Sequence, residues 1–203
     1  MALTSLFRSL FVTALLAALT IGSQTANAQV TKPFKIEGRG IAPVGLSLPA
    51  LGPIPATGPV PHFVEGNATH LGRHTGTGFE HTLTADLSNP FSITGTFESN
   101  PGFNFTAANG DILACTYGDP DNDASSPQGT YTLTAVDLPG FGEYYIANFL
   151  AEFVPTAGCT GKFEGVTGKW TMYATSLPFR LGVPEPLFYS WQGEGKLTFK
   201  QGK

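Results

Sequence analysis

The chain has 203 residues, and its 11 Lys and Arg against 15 Asp and Glu leave it acidic, which argues against nucleic acid as a partner. Charged residues amount to 13% and hydrophobic residues to 41%, a balance that excludes charge-driven disorder and provides for a sizeable core. The 25 Gly and 16 Pro suit short strands and turns and disfavour helices.

Residues 1–28 read as an export signal. Arg8 is the only charge there, and the apolar run 10–21 falls short of the roughly 20 residues a membrane span needs. Ala26-Asn27-Ala28 then supplies the small residues a signal peptidase reads. Cleavage before Gln29 leaves one domain, 29–203, that is secreted or periplasmic and has no membrane span. The alternative is an uncleaved N-terminal anchor.

The mature part opens with a strand over 30–41. Pro43, Pro49, Pro53, Pro55, Pro59 and Pro61 then exclude a central strand, so 43–61 reads as an extended surface connection. A binding segment for a partner domain is the sharper alternative. From His62 onward the apolar period is two, as in Phe91, Ile93 and Phe97 or Tyr131, Leu133 and Ala135. Turn signals such as Asn109-Gly110 and Leu138-Pro139-Gly140 punctuate the runs. Ten strands are predicted, at 30–41, 63–71, 75–83, 91–98, 102–108, 111–117, 129–136, 143–154, 168–176 and 187–200. Regular spacing and short turns describe a meander. The fold class is therefore all-β, an antiparallel up-and-down β-barrel of about eight strands of the calycin kind, with a β-sandwich as the alternative.

Several constellations invite chemistry. His62, His70, His74 and His81 crowd together and could bind zinc or copper, but spacing alone equally fits surface or hydrogen-bonded histidines; no metal is assigned. Asp119, Asp121 and Asp123 alternate in a loop that lacks the glycine and terminal glutamate of a calcium-binding EF-hand, and a solvated turn is the plainer reading. Cys115 and Cys159, an even pair in an oxidising compartment, are expected to form a disulfide, the alternative being two buried thiols. That pairing assumes that 111–117, 129–136 and 143–154 run up, down and up, bringing both cysteines to one end.

Glu152 lies in an otherwise apolar strand. Either it faces inward, where desolvation would raise its pKa and fit it for acid or base work, or it faces out and Tyr145, Phe149 and Phe153 face in. No nucleophile elbow, P-loop or HExxH motif is present.

The run Phe149-Leu150-Ala151, followed by Gly158-Cys159-Thr160-Gly161-Lys162-Phe163-Glu164-Gly165-Val166-Thr167-Gly168, resembles a hairpin of the allene oxide cyclase and dirigent barrels. Leu187-Phe188-Tyr189-Ser190-Trp191 is similar to the closing strand of the cyclases. Residues 68–73 and 105–111 are similar to segments of uncharacterised exported bacterial proteins thought to share that barrel. The likeness spans roughly 62–199 and implies a backbone more than a chemistry. It also implies that Glu37, with Pro43 nearby, is the carboxylate matching that of the cyclases.

The function expected from these readings is non-catalytic binding of an apolar or aromatic small molecule, or a structural role in the cell envelope. The alternative is a cofactor-free cyclase or isomerase. Candidate catalytic residues are Glu152 and Glu37; candidate ligand-binding residues are Tyr145, Phe149, Phe153, Trp170, Tyr189 and Trp191. No cofactor is expected, and the protein is expected to be a monomer or small homo-oligomer.

Overall fold

A computed structural model of the protein describes residues 29–46, 59–99, 101–117, 129–140 and 142–200. Residues 1–28, expected to be an export signal, most of the proline-rich connection and the Asp119 to Asp123 loop lie outside these residues. Ten strands follow in chain order: β1 (Gln29–Ala42), β2 (Val60–Ala68), β3 (Gly72–Asp86), β4 (Ser92–Glu98), β5 (Phe103–Ala107), β6 (Ile112–Thr116), β7 (Gly129–Leu138), β8 (Gly142–Pro155), β9 (Thr167–Ser176) and β10 (Leu187–Lys200). All ten fall where the two-residue period predicts them, with ends displaced by a few residues. No α-helix occurs among the described residues, as the Gly and Pro content demands.

The pairings close on themselves. β1 pairs with β2 on one side and, along its whole length, with β10 on the other; β10 pairs with β9, β9 with β8, and β2 with β3. Between β3 and β8 two routes complete the ring, one through β5 and β6 and one through β4 and β7. Either route gives a circuit of eight antiparallel neighbours. Closure leaves no sheet edge along those circuits to recruit another chain.

The two routes correct the expected meander. β4 and β5 both run antiparallel to β3, so the chain passes from one to the other without reversing. β6 and β7 are both antiparallel to β8 and form a second in-line pair. The Ser99-Asn100-Pro101-Gly102 run, a turn signal in the sequence, therefore links β4 to β5 without a hairpin. It is held by the Ser99 N–H donating to the Tyr117 carbonyl at 2.7 Å.

β6 and β7 share a direction, so the chain does not run up, down and up as expected, yet the segment after β8 still folds back beside β6, with Pro155 opposite Cys115 and the Thr160 N–H donating to the Ile112 carbonyl at 2.9 Å. Cys115 and Cys159 are unbonded and buried. The Cys159 thiol donates to the Ala114 carbonyl at 3.2 Å, and the Cys115 thiol approaches the Leu113 carbonyl at 3.6 Å. Burial pushes both thiols up, which keeps them protonated and unreactive.

Alternation puts one side chain in two inside the ring, and aromatics fill most of that volume. Trp170 stacks on Phe153 at 5.3 Å with 14° between the planes, and Phe34 tilts against the other side of the cluster at 5.0 Å from Trp170. Tyr117 meets Phe153 at 4.7 Å. Phe163, in the 3-10 turn Gly161–Phe163, is fully buried and contacts Phe199. Trp170→Ala removes the centre of this cluster and should cost about 3–5 kcal/mol, measured by urea unfolding; a loss under about 1 kcal/mol would show that the cluster is not the core.

Candidate functional site

Neither carboxylate proposed from the sequence faces the interior. Glu152 points outward and pairs with Lys169 at 2.8 Å, so the aromatic face of β8 is the inward one. Glu37 is exposed on the outer wall, in a polar groove it shares with Arg39, Glu65 and Arg73, and Pro43 is exposed in the turn after β1. Arg39 is paired with Glu65 at 2.6 Å. Both glutamates sit on the solvent-facing parity of their strands, which is why a desolvated role fails for each.

The six aromatic candidates all lie on inward faces. Phe149, Phe153, Tyr189 and Trp191 line an interior chamber of about 40 Å³. Trp170 packs behind Phe153, and Tyr145 lies farther along β8, its hydroxyl donating to the Pro90 carbonyl at 3.1 Å. Phe97, Phe103, Phe105 and Tyr117 complete the aromatic wall, with Met172 as the one flexible side chain in it.

Into this apolar chamber project a carboxyl and an imidazole that the motif search did not single out as a pair, those of Glu80 and His62. β3 turns His74, Gly76, Gly78, Glu80 and Thr82 inward. At Gly78 a Cβ would run into the Phe103 ring, so the glycine lets that ring lie across the strand beside Glu80. Glu80 is only 2% exposed. The Thr82 hydroxyl donates to its Oε1 at 2.8 Å, while Oε2 makes no hydrogen bond among the described residues. Burial pushes the carboxyl up to about 7, against the smaller opposing effect of Thr82.

His62 enters from β2. Its Nδ1 lies 2.9 Å from the Tyr189 hydroxyl, and its Nε2 is buried without a partner among the described residues. Burial lowers the imidazole to about 4, so it is neutral at ordinary pH. The Tyr189 ring reaches His62 because Gly40 of β1 lies beneath it, where any Cβ would collide with the ring. Burial, then the charge of Glu80, pushes the Tyr117, Tyr131 and Tyr189 hydroxyls up, so all three remain neutral donors. On β4, Glu98 is fully buried with its Oε1 3.4 Å from Nδ1 of His81.

The other histidines do not join them in a metal centre. His74 is buried on the inward face of β3, His70 occupies the β2–β3 turn with its Nε2 3.1 Å from the Pro33 carbonyl, and His81 pairs with Glu98. No cluster of three metal-ligating side chains occurs among the described residues. The chain matches no protein-family model, and no curated protein matches it.

Opposite shifts in one chamber give opposite pH slopes. Glu80, raised above its unfolded value of 4.5, stabilises most below that pH and loses its contribution as pH rises through about 7. His62, depressed below 6.5, contributes fully above that pH and is lost as pH falls through about 4. Between about 4.5 and 6.5 the two slopes offset each other. Glu80→Gln removes one of them. The stability of Glu80→Gln relative to wild type should therefore grow as pH rises across that window, by about 3 kcal/mol in all, in urea unfolding at a series of pH values. A pH-independent difference would place Glu80 in contact with water.

Proposed function

We propose that the protein is an exported β-barrel of eight strand positions, calycin-like in build, whose aromatic interior binds, without cofactor, a small and mostly apolar or aromatic molecule that also offers a hydrogen-bonding atom. The observation that carries this reading is that two buried polar atoms, Glu80 Oε2 and His62 Nε2, have no partner among the described residues in a chamber lined for the rest by aromatic rings, Val64, Met172 and Ala174. Leaving a buried polar atom unsatisfied costs about 1–3 kcal/mol, so a barrel serving only as a scaffold gains nothing by keeping two of them. A ligand that meets both recovers that cost. The chamber is far smaller than the 300–1,000 Å³ of drug-sized pockets, which restricts the ligand to a few heavy atoms unless Met172 and its neighbours move aside. The resemblance to the allene oxide cyclase and dirigent barrels, carried by residues 149–168 and 187–191, supports the same architecture.

A cofactor-free isomerase is the second reading. It is favoured by the Glu80 carboxyl, whose pKa of about 7 suits it to give or take a proton near neutral pH. Binding is the common requirement of both readings.

Xenon is a probe of suitable size, since it enters dry apolar cavities. Xenon magnetic resonance should report saturable uptake by the wild type and none by Ala174→Leu, in which the added side chain fills the chamber that Ala174 lines. Equal uptake by both proteins would refute an accessible chamber.

A further inference from the structure

The chamber is built of donors. Thr82 donates to Oε1 of Glu80, so in the neutral carboxyl Oε1 is the carbonyl oxygen and the proton sits on Oε2, the atom without a partner among the described residues. We assign His62 the tautomer in which Nδ1, 2.9 Å from the Tyr189 hydroxyl, accepts from it and the imidazole proton sits on Nε2, again the unpartnered atom. The indole N–H of Trp191, which can only donate, is the third buried polar group of the lining without a partner. Three N–H or O–H groups in one aromatic chamber, none with a partner among the described residues, call for a ligand atom with lone pairs and no proton of its own.

We propose that the chamber is a site for a small uncharged carbonyl compound, a ketone, aldehyde or quinone, whose oxygen accepts from Glu80 Oε2 and His62 Nε2 while its apolar body lies among the Phe and Trp rings. The inference rests on the binding function proposed above and names the ligand class and its control. A carbonyl oxygen has two lone pairs, enough to accept from both donors of the lining; a hydrocarbon would leave both unsatisfied. A carboxylic acid would bring a charge into an apolar wall or a second proton where none is wanted.

Control follows from the carboxyl. Once Glu80 ionises it presents lone pairs to lone pairs, and the carbonyl compound is released. Of the other titratable groups packed around it, His62 is already neutral, burial lowers the imidazole of His74 on the same face of β3, and the Tyr117, Tyr131 and Tyr189 hydroxyls stay protonated far into the alkaline range. Glu98 on β4, paired with His81, is the remaining carboxylate near Tyr117. Because only the protonated fraction of Glu80 is competent, affinity should fall about tenfold for each pH unit above its midpoint.

The test titrates the full mature protein with ketones graded from acetone through cyclopentanone to acetophenone, each beside the hydrocarbon of matching shape, and follows the Trp191 indole and Met172 methyl resonances. The expected result is saturable ketone binding at about pH 6 that weakens about a hundredfold by about pH 9, with hydrocarbons binding more weakly and at every pH alike. Glu80→Gln, which keeps an N–H donor and cannot ionise, should hold the ketone equally at both pH values; Glu98→Gln should keep the wild-type pH dependence. Ketone and hydrocarbon binding that are equal and insensitive to pH would overturn the proposal while leaving the binding function standing. A pH dependence that survives in Glu80→Gln or vanishes in Glu98→Gln would assign the switch elsewhere and overturn it too. Binding of neither class, together with no xenon uptake, would remove both the site and the function it rests on.

Discussion

Everything inside this molecule depends on β1 and β10 finding each other. The first and last strands of the described fold pair over the full length of β1, from Gln29 opposite Lys200 to Ala42 opposite Leu187. Without that seam the sheet would have two long open edges and a single-sided core, and residues now enclosed would face water. With it, every strand of the circuit has one face turned to the interior, and alternation decides which residues occupy it. The seam also holds Gly40 under Tyr189, so the hydroxyl that orients His62 is placed by the same pairing that closes the ring.

Closure alone would be served by an entirely apolar filling. Instead the interior keeps Glu80, His62 and Thr82 among its rings, and the low-dielectric surroundings hold both ionisable groups in their neutral forms. Their penalties oppose each other in pH. A carboxyl alone would make the fold weaken steadily toward neutral pH and an imidazole alone would make it weaken toward acid, whereas together they leave a plateau across mildly acidic conditions. The sulfur atoms add nothing to this: both thiols are buried among backbone carbonyls and held protonated.

The strands were legible because a half-buried strand writes its period directly into the chain, and stretches such as Phe103, Phe105 and Ala107 did so plainly. The direction of each strand was less legible, since a turn signal such as Ser99 to Gly102 marks an interruption without saying whether the chain reverses after it. β8 announced its inward face through Tyr145, Phe149 and Phe153, and the structure agrees. β3 hid its own. Its inward residues are His74, Gly76, Gly78, Glu80 and Thr82, small or polar where a core strand ordinarily carries bulk, because the rings of Phe103 and Phe105 from the neighbouring strand occupy the space those glycines leave. Glu80 therefore did not stand out in the sequence, whereas Glu152, within an apolar strand, left both orientations open until the structure turned it outward. The available signal was the unbroken alternation of glycine and histidine with Arg73, Thr75 and Thr77, which sets the parity of β3 without any apolar side chain.

The central claim is that Glu80 carries its proton inside the aromatic chamber under conditions where a solvated glutamate would be ionised. Infrared difference spectroscopy of wild type against Glu80→Gln, in heavy water at about pH 6, reads this directly, since at that pH an exposed glutamate is almost wholly a carboxylate. A protonated-carboxyl carbonyl band in the wild type that is missing from Glu80→Gln is the predicted result; a wild-type spectrum differing only in carboxylate bands would contradict it.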